Sequence, residues 1–216
     1  GDGFTVGRKI KKLGYRCIDS AELIFDDHRV PADNLIGGIE GRGFHHAVGG
    51  LELGRINVAA RAVGLAQGAL NEALRYAQQR KTFGKPIVMH QAIAFKLANM
   101  ATEIDAARLL IWRAAWLARN GGFKNGEGSM SKYKASEVAV RVTEEAIQIL
   151  GGYGYTREYP VERWHRDAKI HTTIEGTSKI QQLAIGRSPS ARCQLPSGGC
   201  GELGHVRRAL AGEVRG

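Results

Sequence analysis

The strongest constraint on the fold is a helical repeat of apolar residues that persists from about residue 41 to residue 150. Ile56, Ala59, Val63, Ala66, Leu70, Ala73 and Ala77 recur at three- and four-residue spacing. Ile93, Leu97, Met100, Ile104, Ala107, Ile111 and Ala114 do the same. A third helix is expected over about 128–150, with Met130, Val138, Val142, Ala146 and Ile149 as its apolar positions and Gly151-Gly152 as its stop. Long amphipathic helices joined by short segments must bury their stripes against one another, which points to an antiparallel bundle. A short helix over about Pro160–Lys169 and a final one from Ser178 follow. Ser178-Lys179-Ile180-Gln181 has the form of a capping box, with Ser178 as the cap.

Residues 1–37 have a different character. Phe4, Val6 and Ala21-Glu22-Leu23-Ile24-Phe25 are short β-type runs between Gly and Asp. Two or three strands are marginal alone. Gly37-Gly38 marks a boundary, so the expected organisation is a β segment over 1–37, a helical bundle over 38–187, and a tail over 188–216. The tail is dominated by Ser, Pro, Gly and Arg and is expected to be mostly disordered. The fold class is therefore mainly α: an antiparallel four-helix bundle preceded by a short β segment.

Composition narrows the function classes. No apolar run reaches the roughly 18–20 residues a membrane span needs. Cys17, Cys193 and Cys200 are too few and wrongly spaced for a disulfide framework or a zinc site, and suggest a reducing compartment. His45-His46 and the other histidines offer no convincing metal-ligand spacing. A net charge of +10 favours anionic partners. The cations are spread along the helices, which argues against nucleic acid and leaves small phosphorylated ligands and acidic membrane surfaces.

Four segments carry candidate chemistry. In Thr172-Thr173-Ile174-Glu175-Gly176-Thr177-Ser178 a carboxylate precedes a helix start, and Gly176 lets a ligand approach the backbone. Glu175 either abstracts a proton once an apolar ligand desolvates it, or is an acid favoured near a helix N-terminus. Local features alone favour the second reading. In Arg80-Lys81-Thr82-Phe83-Gly84-Lys85, Arg80 and Thr82 suit a pyrophosphate and Phe83 a planar ring, or the run is a basic helix end and a turn. Gln148 to Gly154 holds more glycine than a helix cap requires. Glu52-Leu53-Gly54-Arg55 opens the first long helix, where an exposed ion pair is the plain reading.

Taken in order, these segments resemble the acyl-CoA dehydrogenase family from about residue 1 to Arg187. The resemblance rests on Gly-Arg-Ile-Asn-Val-Ala-Ala at 54–60, Gln79 to Gly84 with His90-Gln91-Ala92-Ile93, Gln148 to Gly152, and Arg166-Asp167-Ala168-Lys169-Ile170 leading to Ile174-Glu175-Gly176-Thr177-Ser178. Each piece is weak; the ordered set is specific and reverses the local preference for Glu175. The resemblance implies a carboxy-terminal portion, the end of a truncated β domain plus the C-terminal bundle, without most of the flavin cradle. It implies FAD-dependent α,β-dehydrogenation of an acyl-CoA thioester, as in fatty-acid β-oxidation. Glu175 would remove the α-proton, its N–H would bind the thioester carbonyl, and hydride would pass to the flavin N5. Arg80, Thr82, Phe83, Gln91, Gln148, Gly151 and Gly152 would grip FAD across a subunit interface, and Thr177 and Ser178 would lie near the flavin. Glu52, Arg55 and Gly176 would lie on the substrate side. Some members of the family place their base beside the helix Arg, where this chain has Gly54. A homotetramer, electron-transfer flavoprotein as acceptor, and a bacterial cytoplasm or mitochondrial matrix location are further implications. The alternative is a binding or oligomerisation module of the same fold without catalysis.

Overall fold

The computed structural model describes residues 2–123 and 126–188. The expectation of disorder over 188–216 lies, from 189 onward, outside the described residues. Ser188 itself is buried and donates its N–H to the Ile185 carbonyl.

Three long helices carry the core: α1 (Gly43–Gln79), α2 (Gln91–Asn120) and α3 (Glu127–Leu150). The apolar stripes read from the sequence become their buried faces, except that Ile56, Ile93 and Met130, towards the N-terminal parts of their helices, are only half-buried. On α1 the buried line includes Ala59, Val63, Ala66, Leu70, Ala73 and Ala77, widened by Ala62, Ala69 and Tyr76 because α1 touches both other long helices. On α2 the buried residues are Leu97, Met100, Ile104, Ala107, Ile111 and Ala114. On α3 they include Ala135, Val138, Ala139, Val142, Ala146 and Ile149. Alanine on the facing sides of α1 and α3 lets the two backbones pack closely, so the core gains dispersion without bulky side chains.

Named pairs give the helix directions. Arg113 at the end of α2 faces Glu127 at the start of α3, and Lys96 near the start of α2 pairs with Glu145 near the end of α3. Thus α2 runs opposite to α3. Glu52 lies against Gly128, and Tyr76 shares a cavity wall with Leu150, so α1 and α3 run the same way. After α4 (Gly152–Tyr155), α5 (Val161–Ala168) and a 3-10 turn over Lys169–Thr172, the chain enters α6 (Ser178–Gly186). Ser178 reaches Glu137, Gln182 reaches Tyr133, and Ile185 packs near Gly126. The short α6 therefore runs antiparallel to α3 and completes an up-down-up-down bundle.

The β segment is a two-stranded antiparallel ladder of β1 (Phe4–Lys9) and β2 (Ala21–Phe25), with Phe4 opposite Phe25, Val6 opposite Leu23, and an irregularity before Lys9. Phe4 and Phe25 stack at 5.2 Å between centroids, yet Val6, Leu23, Ile24 and Phe25 remain exposed. Tyr15 anchors this segment to the bundle. The Tyr15 N–H donates to Asp167 Oδ1 at 2.6 Å, and the Tyr15 hydroxyl lies 3.3 Å from His171 Nε2. Gly14 sits so tightly against the Arg166 backbone that a Cβ there would overlap it.

Candidate active site

The 3-10 turn over Lys169–Thr172 delivers the chain into two successive left-handed residues, Glu175 at φ +52° and Gly176 at φ +94°. Glycine adopts this region freely, but for glutamate it is strained, a cost on the order of 1–2 kcal/mol. The strain turns the Glu175 side chain towards α1, under Gly54. A Cβ on Gly54 would lie 2.5 Å from Glu175 Oε2 and 2.9 Å from Cδ. The bare helix backbone at Gly54 is thus what makes room for the carboxylate. Oε2 is buried and has no hydrogen-bond partner among the described residues. Among the described residues, no acceptor takes the Glu175 N–H either.

The carbonyls of the same two residues are held. The Gln181 side-chain amide donates to the Glu175 carbonyl at 2.9 Å and to the Gly176 carbonyl at 3.0 Å. Lys132, fully buried on α3, donates its ammonium to the Gly176 carbonyl at 2.6 Å. Burial is the main force pushing the Lys132 pKa down, to about 8; the Arg55 cation adds to it, while the Glu175 and Glu137 carboxylates oppose it. Neither Lys132 nor Gln181 was expected from the sequence. A signal existed for Lys132, which falls one turn after Gly128 and three residues before Ala135, on the buried register of α3. A lysine there must have an internal acceptor.

The capping box is displaced by one residue. Thr177 is the cap of α6, its hydroxyl accepting from the Ile180 N–H at 3.4 Å. The Ser178 hydroxyl instead donates to Glu137 at 2.6 Å. Gln181, which would return to the cap in a capping box, is drawn inward because the two strained carbonyls need a donor.

Glu52 and Arg55 form an ion pair one turn apart on α1, and Arg55 also reaches the Ser129 hydroxyl at 3.2 Å. The exposed pair expected from the sequence is instead half-buried. Glu52 Oε2 and Arg55 Nε are buried without partners. Glu52, Gly54, Arg55, Glu175 and Gly176 therefore lie together at the head of α1 and α3.

A second group forms at the opposite end of α1. Tyr76, Arg80, Thr82, Ile87, Gly151 and Gly152 help line an open cavity of about 560 Å³. It joins two of the sequence segments. Gly151, at φ +60°, and Gly152 have open space where a Cβ would sit, so a ligand can lie on bare backbone. Phe83 and Gly84, both at positive φ, make the two-residue turn of a small hairpin, β3 (Lys81–Thr82) with β4 (Lys85–Pro86). The Phe83 ring is 95% exposed. Phe83, Gln91 and Gln148 do not line the cavity, and all three are exposed to solvent. Arg80, the C-cap of α1, follows Gly54 by 26 residues, a separation of roughly 39 Å at the helical rise.

Such a molecule is a helical bundle with a half-buried carboxylate, its Oε2 buried, at one end and a cationic, glycine-walled cavity at the other. Residues 41–189 match the family model described as acyl-CoA dehydrogenase, C-terminal domain. The chain belongs to the acyl-CoA dehydrogenase family. It is 51% identical over 185 residues to an acyl-CoA dehydrogenase of Bacillus subtilis, covering 86% of this chain and 48% of that one. The butyryl-CoA dehydrogenase structure from Megasphaera elsdenii superimposes with a TM-score of 0.83 at 48% identity, over 86% of this chain and 48% of that one. A glutaryl-CoA dehydrogenase from Mycobacterium smegmatis, solved in complex with FADH2, superimposes with a TM-score of 0.80 at 31% identity, over 86% of this chain and 47% of that one. The chain spans about half the length of the relatives it matches.

Proposed function

We propose that this chain is the base-bearing part of a flavin-dependent acyl-CoA dehydrogenase, with Glu175 as the base. The observation that carries this reading is the buried, unpartnered Oε2 of a conformationally strained Glu175, seated beneath Gly54. Gly54 itself has no group to exchange a proton.

The α-carbon acid of a thioester is weak until its carbonyl is polarised. Among the described residues the Glu175 N–H has no acceptor, and it is assigned to donate to that carbonyl. Donor and base then belong to one residue, so aiming one aims the other. As the α-proton passes to the carboxylate, negative charge grows on the thioester oxygen, where the N–H stabilises it more than in the ground state. Bound FAD supplies the acceptor for the hydride that leaves the β-carbon. The half-buried Glu52–Arg55 pair, on the same turns of α1 as Gly54, is assigned to the substrate side. Short acyl-CoA thioesters are the proposed substrates, in line with the butyryl-CoA relative.

The cavity at the far end of α1 fits part of a flavin dinucleotide. Arg80 and Thr82 offer charge and a hydroxyl for a pyrophosphate, and Gly151 and Gly152 offer open backbone. Phe83, Gln91 and Gln148 are assigned to the same dinucleotide from the exposed rim. Roughly 39 Å from Gly54, this end is too remote to serve the flavin beside Glu175 in the same copy. We therefore assign it to the cofactor of a second copy, and Thr177 and Ser178 to the flavin of their own. A homotetramer, and electron-transfer flavoprotein as oxidant of the reduced cofactor, belong to the same proposal.

The test is Glu175→Gln in the FAD-loaded protein. Flavin absorbance should persist and dehydrogenation of butyryl-CoA should fall by about 10²–10⁴-fold. Near-normal turnover would remove Glu175 from the role of base. Because the chain spans about half of its relatives, a non-catalytic binding or oligomerisation module is the second reading. A purified chain without flavin absorbance favours that reading; a yellow, active preparation refutes it.

A further inference from the structure

Lys132 and Gln181 converge on the two peptide groups that follow Glu175. The Gln181 side chain makes both of its described bonds through one nitrogen, to the Glu175 and Gly176 carbonyls, while its Oε1 is buried with no partner among the described residues. A side chain kept in that orientation leaves an acceptor unsatisfied, a penalty on the order of 1–3 kcal/mol. Lys132 is fully buried and lies near a second cation, Arg55, which is costly unless its ammonium is well bound. Its acceptor is the Gly176 carbonyl at 2.6 Å. Two costly arrangements from different helices, α3 and α6, thus act on the same pair of carbonyls.

The geometry points to Lys132 and Gln181 as positioning residues that hold the Glu175–Gly176 backbone in its left-handed turn, so that the Glu175 N–H faces the thioester carbonyl while both following carbonyl oxygens face inward. The inference rests on the reading of Glu175 as the base.

The argument is one of dipoles and torsions. A peptide group is planar, so fixing the carbonyls of Glu175 and Gly176 fixes the two planes after the base. The φ of Glu175, +52°, then sets both the N–H and the side chain. Without the pins, the strained turn is free to relax to negative φ. That would rotate the N–H away and bring a carbonyl oxygen towards the growing negative charge on the substrate. An oxyanion site needs donors and no acceptors. Gly176 also shapes the clamp, since a Cβ there would lie 2.6 Å from Gln181 Nε2.

The experiment measures the carbonyl directly. Butyryl-CoA carrying ¹³C at the thioester carbonyl is bound to FAD-loaded Glu175→Gln protein, in which turnover is expected to be slowed by about 10²–10⁴-fold, and its infrared stretch is recorded before turnover. The band should move to lower frequency than in free butyryl-CoA, because the N–H polarises the bond. Adding Lys132→Met or Gln181→Met should abolish most of that shift. With Glu175 intact, each single variant should lower kcat roughly tenfold to a hundredfold while KM changes far less. A merely structural role would alter thermal stability and leave the band of bound substrate in place. An unchanged band in folded double variants overturns the inference. No shift in Glu175→Gln alone overturns it as well, by removing the N–H from the reaction. Near-normal turnover by Glu175→Gln is the separate failure of the base assignment. If Lys132→Met does not fold, Gln181→Met, a near-isosteric change that removes only the amide, decides the matter.

Discussion

Gly54→Ala separates catalysis from stability. The added Cβ would lie 2.5 Å from Glu175 Oε2, about 0.9 Å inside ordinary van der Waals contact, and 2.9 Å from Cδ and Oε1. Something must move, and the carboxylate is the free end of a flexible side chain with no partner on Oε2. Its displacement breaks no described hydrogen bond, so the folded state loses little. Meanwhile α1 exchanges an interior glycine for alanine, which favours the helix by about 1 kcal/mol. The melting temperature should hold or rise by about 2–4 °C. Activity should go the other way. A reacting group misplaced by about 1 Å can cost on the order of 10²-fold in rate. The assays are a thermal melt and the kcat for butyryl-CoA in FAD-loaded protein. Unchanged kcat would mean that the carboxylate does not work from its place beneath Gly54. A melting temperature lowered by several degrees would refute the claim that the side chain alone absorbs the clash.

Three other outcomes follow from named contacts. Lys132 has a folded pKa pushed down to about 8 from an ordinary 10.5, so between those values the unfolded chain binds more protons and stability should rise with pH. Lys132→Met should lack that rise in a pH series of denaturant melts, and an equal rise in both proteins would contradict it. Gly14→Ala places a Cβ 2.6 Å from the Arg166 carbonyl carbon and from Asp167 Oδ1, where backbone cannot yield. It should destabilise the docking of the β segment by about 1–3 kcal/mol and speed hydrogen exchange at the Tyr15 amide. Arg80→Ala should lower the flavin absorbance that survives gel filtration while leaving the KM for butyryl-CoA nearly unchanged; a fall in substrate affinity instead would place Arg80 on the wrong ligand.

The stripes on α1, α2 and α3 were legible in sequence because burial repeats with the helix period, and a repeat needs no partner to be seen. Gly151 announced the end of α3 for a similar local reason. The displaced cap shows the limit. Thr177 and Ser178 both carry a hydroxyl, and local pattern could not choose between them. The choice depends on Glu137, which lies 41 residues before Ser178 and takes its hydroxyl. Gln181 likewise fits a cap in sequence and a clamp in the structure, because the strained carbonyls of Glu175 and Gly176 outcompete the helix end for its amide.

By itself the sequence determined the helical bundle, the position of Glu175 before a helix, and the two segments around Arg80 and Gly151. Those are properties of spacing and residue type along one stretch of chain. Only the tertiary structure decided that Gly54 is the space Glu175 needs and that a buried lysine holds the loop behind it. It also decided that Arg80 and Gly151 share a cavity a whole helix away from the carboxylate. Each of those relations joins residues far apart in the chain, where close approach is set by packing and leaves no period in the sequence to read.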